Sequence, residues 1–288
     1  MIPATHRVLM AVHAHPDDEA IGTGGVLAHY GALGTRTIVV TCTRGECGEI
    51  SDPDLATPEN LGEVRVAEQA AAADILGVSR TVFFGYRDSG MEGRETNLDP
   101  TCFHQAPLDD AVRHLVGLIR EERPDVIITY DAMGTYGHPD HIKAHQVTRA
   151  AFTVAGDWRA FPDAGQPWSP AKLYYGGPTR STFERMRQAL DDAGIESPYG
   201  RGGGPDMRER IVRYATPDDV VTTVIDISPH ADTKRAALLA HRTQFGSQSI
   251  FARLPPEVTR ALWATESYVR VVGPGPARGE KDLFAGLA

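Results

Sequence analysis

The chain has 288 residues, of which 41% are hydrophobic, so it is long enough for one large or two modest globular domains. A formal net charge of −9 and a pI near 5.6 argue against nucleic acid or an anionic membrane surface as a main partner. No apolar run approaches the roughly 20 residues that span a bilayer, and the amino terminus lacks a signal-peptide layout. We therefore expect a globular cytoplasmic protein whose partner is a small molecule. A homo-oligomer is left open.

The three cysteines are Cys42, Cys47 and Cys102, and they lack the spacing of a zinc site. Reduced thiols in the cytosol are the simplest interpretation. Cys47 lies in a predicted active-site loop, but nothing nearby is typical of an activated cysteine. We expect packing rather than nucleophilic chemistry from it.

In the first half, apolar runs alternate with helical segments, which is typical of a parallel sheet with right-handed crossovers. Strands are predicted at 7–13, 36–43, 80–85 and 125–130, and helices at 22–34, 62–77, 107–123 and 139–155. The small residues of GTGG (22–25) lack the position and spacing of a dinucleotide fingerprint, so we expect them to let a helix approach the sheet closely.

The second half is less regular. It is predicted to contain a connection at 156–170, a strand at 172–177, a helix at 181–193, a Gly-rich loop at 197–206, a strand at 220–227, a helix at 230–244 and a strand at 268–272. The fold class is therefore α/β. A Rossmann-like, mostly parallel sheet forms a catalytic domain over 1–155. A smaller mixed α/β segment, 156–288, covers the strand ends and shapes the pocket.

The first strand leads into a cluster of polar side chains. The apolar run from Val8 to Val12 is followed within seven positions by His13, His15, Asp17, Asp18 and Glu19. His15 and Asp18 are a nitrogen and an oxygen ligand held by a turn, while Asp17 points a different way. This arrangement suits a metal plus a general base at a strand end. The alternative is a solvated loop in which one aspartate only caps the next helix.

A second stretch, VIITYDAMGTYGHPDH (126–141), has the same layout. An apolar run is followed by Tyr130 and Asp131, and a Gly-rich turn then ends in HPDH. Catalytic zinc sites usually have three protein ligands and one open position. The first loop supplies two ligands, and the second can supply the third.

The pairing of HAHPDDE with GHPDH resembles the LmbE-like or PIG-L family of zinc-dependent de-N-acetylases, which includes the mycothiol-pathway deacetylase and the mycothiol S-conjugate amidase. The likeness extends over most of the chain, through TCTRGECGEI (41–50), RDSG (87–90), FPDAGQPW (161–168), KLYY (172–175), LLAHRTQ (238–244) and DLFAG (282–286). FPDAGQPW and KLYY look most like the amidase branch, whereas AIGTGG after DDE lacks a lysine that this branch carries.

The resemblance implies one Zn²⁺ per chain, held by His15, Asp18 and His141. Fe²⁺ would also accept two nitrogens and a carboxylate. The resemblance further implies that Asp17 is the general base and that His138 faces the oxyanion as a charged donor. Asp140 would hydrogen-bond the His138 ring, and Tyr136 would turn its hydroxyl toward the same oxygen.

Further charged residues are expected around this centre. The resemblance assigns substrate contacts to Glu49, Arg65 and Asp88, and the alternative is solvated surface charge. His13 is expected to support a metal ligand by a hydrogen bond. Glu19 is expected to fix the loop or cap the helix, and His241 to pack at a helix end.

The predicted function is zinc-dependent hydrolysis of an amide, which removes the acyl group from an N-acyl-glucosamine-type sugar or sugar conjugate of a mycothiol-like pathway. One alternative is a tailoring deacetylase that acts on a secondary metabolite. An alternative of another class is a sugar-binding protein that retains the metal without turnover. A free base such as Asp17 argues against the last, because a binding protein has no use for one.

Overall fold

The computed structural model describes residues 7–195 and 213–287, and within them a seven-stranded sheet forms the centre of the molecule. The strands are β1 Val8–His13, β2 Arg36–Thr43, β3 Arg80–Tyr86, β4 Val126–Tyr130, β5 Lys172–Gly176, β6 Thr223–Asp226 and β7 Thr265–Val272. Their order across the sheet is β3-β2-β1-β4-β5-β7-β6. The pairs from β3 to β5 are parallel, and β7 runs antiparallel to both of its neighbours.

Helices cover the sheet and connect its strands. They are α1 Asp18–Ala32, α2 Leu61–Leu76, α3 Leu108–Glu122, α4 Gly134–Gly137, α5 Pro139–Val154, α6 Arg180–Asp192, α7 Ala231–Ala240, α8 Ile250–Arg253 and α9 Pro256–Leu262. No helix of the described part is both long enough and apolar enough to cross a membrane.

Strand β1 shows how the core is built. All six of its residues are buried, and successive side chains point to opposite faces of the sheet. Leu9 packs in the apolar cluster that contains residues of α1, α2 and α7. Met10 packs in the cluster that contains residues of α3 and α5. Burial on both faces explains why the β1 sequence is apolar from Val8 to Val12.

The predicted fold class is confirmed, with differences at the ends of elements. Helix α1 begins at Asp18, four residues before the predicted start, so the DDE motif already forms its first turn. The predicted helix 230–244 ends at Ala240. The short helices of residues 250–262 were not predicted, because short segments carry little periodicity. The predicted loop 197–206 lies outside the described residues.

Residues 156–288 do more than cover the strand ends, because they also contribute strands to the sheet. Strands β5, β6 and β7 belong to the same sheet as β1–β4, and β5 pairs directly with β4. The sheet thus continues across the proposed boundary at residue 155, and the division into two domains stays a prediction.

Candidate active site

The two polar motifs meet because the strands before them are neighbours. Strand β1 pairs with β2 on one side and with β4 on the other, so the chain changes direction across the sheet at β1. Ligand sites of open α/β sheets lie at such switch points, outside the carboxyl ends of the strands. His15 follows β1 and His141 lies in the first turn of α5. Although 126 residues separate them, His15 Nδ1 lies 3.2 Å from His141 Nε2.

Asp18 completes a triangle of donor atoms with these two histidines. Its Oδ2 lies 3.5 Å from His15 Nδ1 and 3.4 Å from His141 Nε2. A tetrahedral ion with bonds of about 2.0–2.2 Å separates its ligands by about 3.3–3.6 Å. The size and the donor set of the triangle therefore fit a zinc-class ion.

The other ring nitrogen of His15 faces two carboxylates. His15 Nε2 lies 3.3 Å from Asp140 Oδ2 and 3.4 Å from Asp88 Oδ1. A proton on Nε2 that is shared with these oxygens leaves the Nδ1 lone pair directed at the triangle. Carboxylate support of this kind is typical of metal-binding histidines.

The buried charge of the cluster also favours the binding of a cation. Asp18, Asp88 and Asp140 are all buried around His15. Although burial opposes charge on the ring, the Asp88, Asp140 and Asp18 carboxylates raise the pKa of His15 well above its ordinary value. Several buried carboxylates at one place are costly unless a cation compensates them. The cluster is able to bind a metal ion.

His138 lies close enough to be considered as a ligand as well. Among the described residues, the groups whose ligand atoms lie within 4.8 Å of one another include His15, His138 and His141, and also His15, Asp88, His138 and Asp140. His138 is the N-cap of α5, and its Nδ1 accepts a hydrogen bond from Asp140 N at 3.2 Å. Its Nδ1 is thus occupied, and Nε2 is the free ring nitrogen.

The expected role of Asp140 toward His138 is wrong. The Asp140 carboxylate contacts His15 and accepts from Ser89 N at 2.9 Å, and it is the Asp140 backbone amide that binds the His138 ring. Burial and the neighbouring His15 and His141 hold the pKa of His138 well below its ordinary value. The lowered pKa favours a neutral His138 ring that carries its proton on Nε2, whereas the sequence suggested a charged donor.

Asp17 lies beside the triangle in a strained conformation. Its φ is 108°, in the left-handed region that favours glycine. Arg65 Nη2 donates to Asp17 Oδ2 at 3.0 Å and to the Pro16 carbonyl at 2.5 Å. Burial raises the pKa of Asp17 to about 7, although the Arg65 guanidinium opposes the rise. A carboxylate of this pKa suits proton transfer near neutral pH.

Tyr136 closes the opposite side of the cluster. It lies in α4, where Thr135 and Tyr136 depart from helical geometry. The departure brings the Tyr136 hydroxyl to 3.5 Å from His141 Nε2, while Tyr130 stacks on the His141 ring at a centroid distance of 4.2 Å.

The three predicted substrate contacts have different surroundings. Glu49 is exposed, whereas Arg65 and Asp88 are buried, so solvated surface charge is excluded for these two. Both side chains already bind protein groups: Arg65 also donates to the Gly45 carbonyl, and Asp88 accepts from Gly90 N and Cys47 N. Their first role is to hold the loops of the site.

The structure places four further sequence candidates. His13 does not support a metal ligand as expected, because its Nε2 lies 2.9 Å from Thr23 Oγ1. Glu19 fixes the loop, as expected. His241 is buried at the end of α7, and Glu19 raises its pKa despite burial. Burial and Asp88 raise the pKa of Cys47, so it carries no activated thiolate.

A cavity of about 590 Å³ surrounds this centre, a volume that is typical of small-molecule sites. Its wall includes Asp17, His138 and Glu49 from the first half. The second half supplies lining residues that sequence reasoning missed: Thr182, Phe183, Met186, Gln244, Phe251 and Trp263. No motif marks these residues, since their position depends on how the second half folds back over the sheet.

Residues 10–152 match the family profile described as PIG-L: GlcNAc-PI de-N-acetylase. A relative from Thermobifida fusca (strain YX) is 44% identical over 294 residues, which cover 97% of this chain and 99% of the relative. One from Thermobispora bispora is 43% identical over 309 residues and covers 99% of both chains. Both are named 1D-myo-inositol 2-acetamido-2-deoxy-alpha-D-glucopyranoside deacetylase.

Solved structures share the fold at lower identity. N,N'-diacetylchitobiose deacetylase from Pyrococcus horikoshii has a TM-score of 0.65 and 19% identity, over 93% of this chain and 84% of that one. The 4-carboxy-2-hydroxymuconate hydratase from Pseudomonas putida KT2440 has a TM-score of 0.61 and 18% identity, over 94% and 98%. Because a deacetylase and a hydratase both share this fold, the fold alone does not determine the reaction.

The α/β sheet carries at its strand ends a buried histidine–aspartate cluster that is able to bind a metal ion, which defines an enzyme of the open-sheet class. Its relatives make it a hydrolase of carbon–nitrogen bonds. A sequence identity above 40% to these relatives across nearly the whole chain, together with the match to the family profile, identifies the protein family. The chain belongs to the PIG-L family of deacetylases.

Proposed function

We propose that this protein is a zinc-dependent deacetylase that removes the acetyl group from the amino sugar of a glucosaminyl-inositol glycoside. The donor triangle next to Asp17 is the observation that carries the proposal, because it combines three donors for a cation with a carboxylate that is not one of them. The names of the relatives supply the substrate class. Location in the cytoplasm is part of the proposal and is supported by the unpaired state of all three cysteines.

In this proposal His15, Asp18 and His141 hold the metal. Two imidazole nitrogens and one carboxylate oxygen form the donor set, and Asp140 and Asp88 orient the His15 ring. When bound, a zinc-class ion supplies a Lewis acid that polarises the amide carbonyl and acidifies water. Zinc is favoured over iron because the three donor–donor distances of 3.2, 3.4 and 3.5 Å are close to tetrahedral spacing, and three protein ligands are typical of catalytic zinc.

Asp17 is the general base of the proposed reaction. It takes a proton from the attacking water and later gives it to the leaving amine. Its neighbour Asp18 faces the two histidines, whereas the Asp17 carboxylate faces Arg65 and the cavity. The strained backbone at Asp17 separates the directions of the two adjacent side chains.

His138 and Tyr136 stabilise the negative charge that develops on the carbonyl oxygen. The His138 Nε2–H is free to donate because Asp140 N occupies Nδ1. The Tyr136 hydroxyl reaches the same edge of the cluster. Donors that are fixed before the reaction stabilise such an oxyanion strongly.

The substrate contacts are proposed for the wall of the cavity. Glu49 is exposed and lines the cavity, so its carboxylate is available to sugar hydroxyls. Arg65 and Asp88 also line the cavity, and we retain them as substrate contacts in addition to their role in holding the loops.

The test is a substrate panel with protein of known zinc content. 1D-myo-inositol 2-acetamido-2-deoxy-α-D-glucopyranoside, thiol conjugates, simple N-acetyl sugars and acylated secondary metabolites are offered, and free amine is measured. We expect the inositol glycoside to give the highest kcat/KM. Preference for a secondary metabolite would favour a tailoring enzyme. Binding of the glycoside without any amine release would favour the non-catalytic sugar-binding protein.

A further inference from the structure

The segment at the end of α7 has no role in the reaction described so far, yet it reaches the active-site loop. His241 is fully buried directly after α7. Its Nε2 lies 2.7 Å from Glu19 Oε1, a contact between residues that are 222 positions apart. Both side chains are completely shielded from solvent.

The second oxygen of Glu19 binds the backbone of Asp17. Glu19 Oε2 accepts a hydrogen bond from Asp17 N at 2.9 Å. The Glu19 carboxylate therefore connects His241 on one side with the amide of the proposed base on the other. Neither Glu19 nor His241 is among the residues that line the cavity, so neither is placed to touch a substrate.

Asp17 needs such support because of its backbone conformation. A non-glycine residue in this region of φ and ψ is strained by about 1–3 kcal/mol and persists only where its surroundings enforce it. Arg65 holds the Asp17 carboxylate and the carbonyl of Pro16. Glu19 holds the Asp17 amide, the group whose direction follows the unusual φ of 108°.

We propose that Glu19 and His241 are positioning residues for Asp17. His241 orients the Glu19 carboxylate, and that carboxylate fixes the Asp17 amide so that the Asp17 side chain faces Arg65 and the cavity, apart from the donor triangle. The inference deepens the proposed function and rests on it, since it takes Asp17 as the base.

Simple packing of the second half onto the first is the competing explanation, and the surrounding contacts argue against it. Glu68 already ties the same segment to α2, because it accepts from Thr243 N at 2.7 Å and from Thr243 Oγ1 at 2.6 Å. A fully buried ion pair contributes little net stability because of its desolvation. Packing alone therefore gives no reason to bury the Glu19–His241 pair.

The first experiment is Glu19→Gln. The amide keeps the shape of the side chain but can no longer accept from both His241 and Asp17. We expect kcat to fall about 10- to 100-fold, as for a catalytic group displaced by about 1 Å. KM and zinc content should stay unchanged, because the variant alters neither the cavity wall nor a ligand. Unchanged kcat in a variant of normal fold would overturn the inference.

A double-mutant cycle with Asp17→Asn separates positioning from general structural damage. If Glu19 acts through Asp17, Glu19→Gln should have almost no effect on kcat once Asp17 is Asn. An undiminished loss in that background would overturn the positioning role while leaving Asp17 as the base. Full activity of Asp17→Asn alone would reject the base assignment and the inference together.

Two His241 variants provide the rescue test. His241→Phe fills the space but cannot donate to Glu19, so kcat should fall as in Glu19→Gln. His241→Gln keeps a donor and should recover most of the activity; equal loss in both variants would contradict the proposal. Glu68→Gln is the matched control, because it weakens a contact to the same segment that does not lead to Asp17. Its kcat should match that of the unmodified protein.

Discussion

Asp17 and Asp18 are adjacent residues with the same side chain and different surroundings. Asp18 Oδ2 lies between two histidine nitrogens, which hold the pKa of Asp18 well below its ordinary range despite burial. Asp17 faces one guanidinium in a buried position, and its pKa is raised. Two neighbouring carboxylates whose pKa values are shifted in opposite directions commonly have different roles in catalysis.

Arg65 is expected to set the acid limb of the pH profile. Asp17 must be deprotonated to act as a base, so kcat/KM rises with pH through its pKa. The Arg65 guanidinium lowers this pKa, and Arg65→Met should therefore move the acid limb to higher pH. The variant should also lose about 1–3 kcal/mol of unfolding free energy, because buried hydrogen bonds are lost. An acid limb at its original pH would show that Arg65 does not act on the base.

Replacement of His138 provides a second test of a single residue of the site. Its lowered pKa favours the neutral ring, which can still donate through Nε2. His138→Gln should lower kcat by about 10²–10³-fold, the usual effect of losing one oxyanion donor. An alkaline limb, if present, should remain in this variant. Its disappearance would mean that His138 works as the charged donor after all.

At the level of elements, the position of α1 on the sheet is set by close packing against Glu266 of β7 and Ile227. Glu266 of β7 accepts from the backbone amides of Gly25 and Val26 in α1, at 2.8 and 3.0 Å. A Cβ at Gly25 would lie 2.6 Å from Ile227 Cδ1 and 2.8 Å from Glu266 Oε1. The small residues of GTGG thus allow α1 to approach the sheet, as predicted from sequence.

Two alanine variants test this packing. Gly25→Ala should lower the free energy of unfolding by about 1–3 kcal/mol through overpacking. Gly24→Ala is its control: the nearest atom would be Lys234 Cγ at 3.4 Å, so the variant should be neutral or up to about 1 kcal/mol more stable. Urea denaturation measures both, and equal stability of the two would refute the close-packing explanation.

The sequence predicts an element when the element's own residues show its hydrophobic pattern or its capping glycine. Strand β1 is apolar from Val8 to Val12, and α2 is capped by Gly77 with a φ of 68°, so both could be located in advance. The end of α7 could not be located. His241 leaves the helix with a ψ of 66° because its ring binds Glu19 from the other half of the chain. A local pattern does not contain such a distant partner.

In the whole molecule, a local sequence pattern likewise does not contain the contacts that distant elements make in the site. Residues within the two motifs could be assigned because a strand end and a turn bring them together. The contact of Asp140 with His15, and the lining by Phe183 and Trp263, depend on the folded arrangement of distant elements. The proximity of the His15, Asp18 and His141 donor atoms was thus predictable, whereas their supporting contacts and the cavity wall were not.

Removal of metal should affect the stability of the whole protein. Without a cation the buried Asp18, Asp88 and Asp140 carboxylates lose their compensating charge, and a ligand of the folded state stabilises it by mass action. Chelation should therefore lower Tm by about 5–10 °C, and added zinc should restore it. A Tm that is independent of zinc would contradict a cation site in this cluster.

The most direct test of the account compares Asp17→Asn with Asp18→Asn in one set of preparations, with zinc per chain and kcat measured in each. Asp17→Asn should keep about one zinc, as a three-ligand site implies, and lose about 10²–10⁴-fold in kcat. Asp18→Asn should lose zinc, because a carboxamide is the poorer ligand. Loss of zinc from Asp17→Asn with retention in Asp18→Asn would reverse the two roles. Retention of both zinc and activity in both variants would contradict the hydrolase mechanism itself.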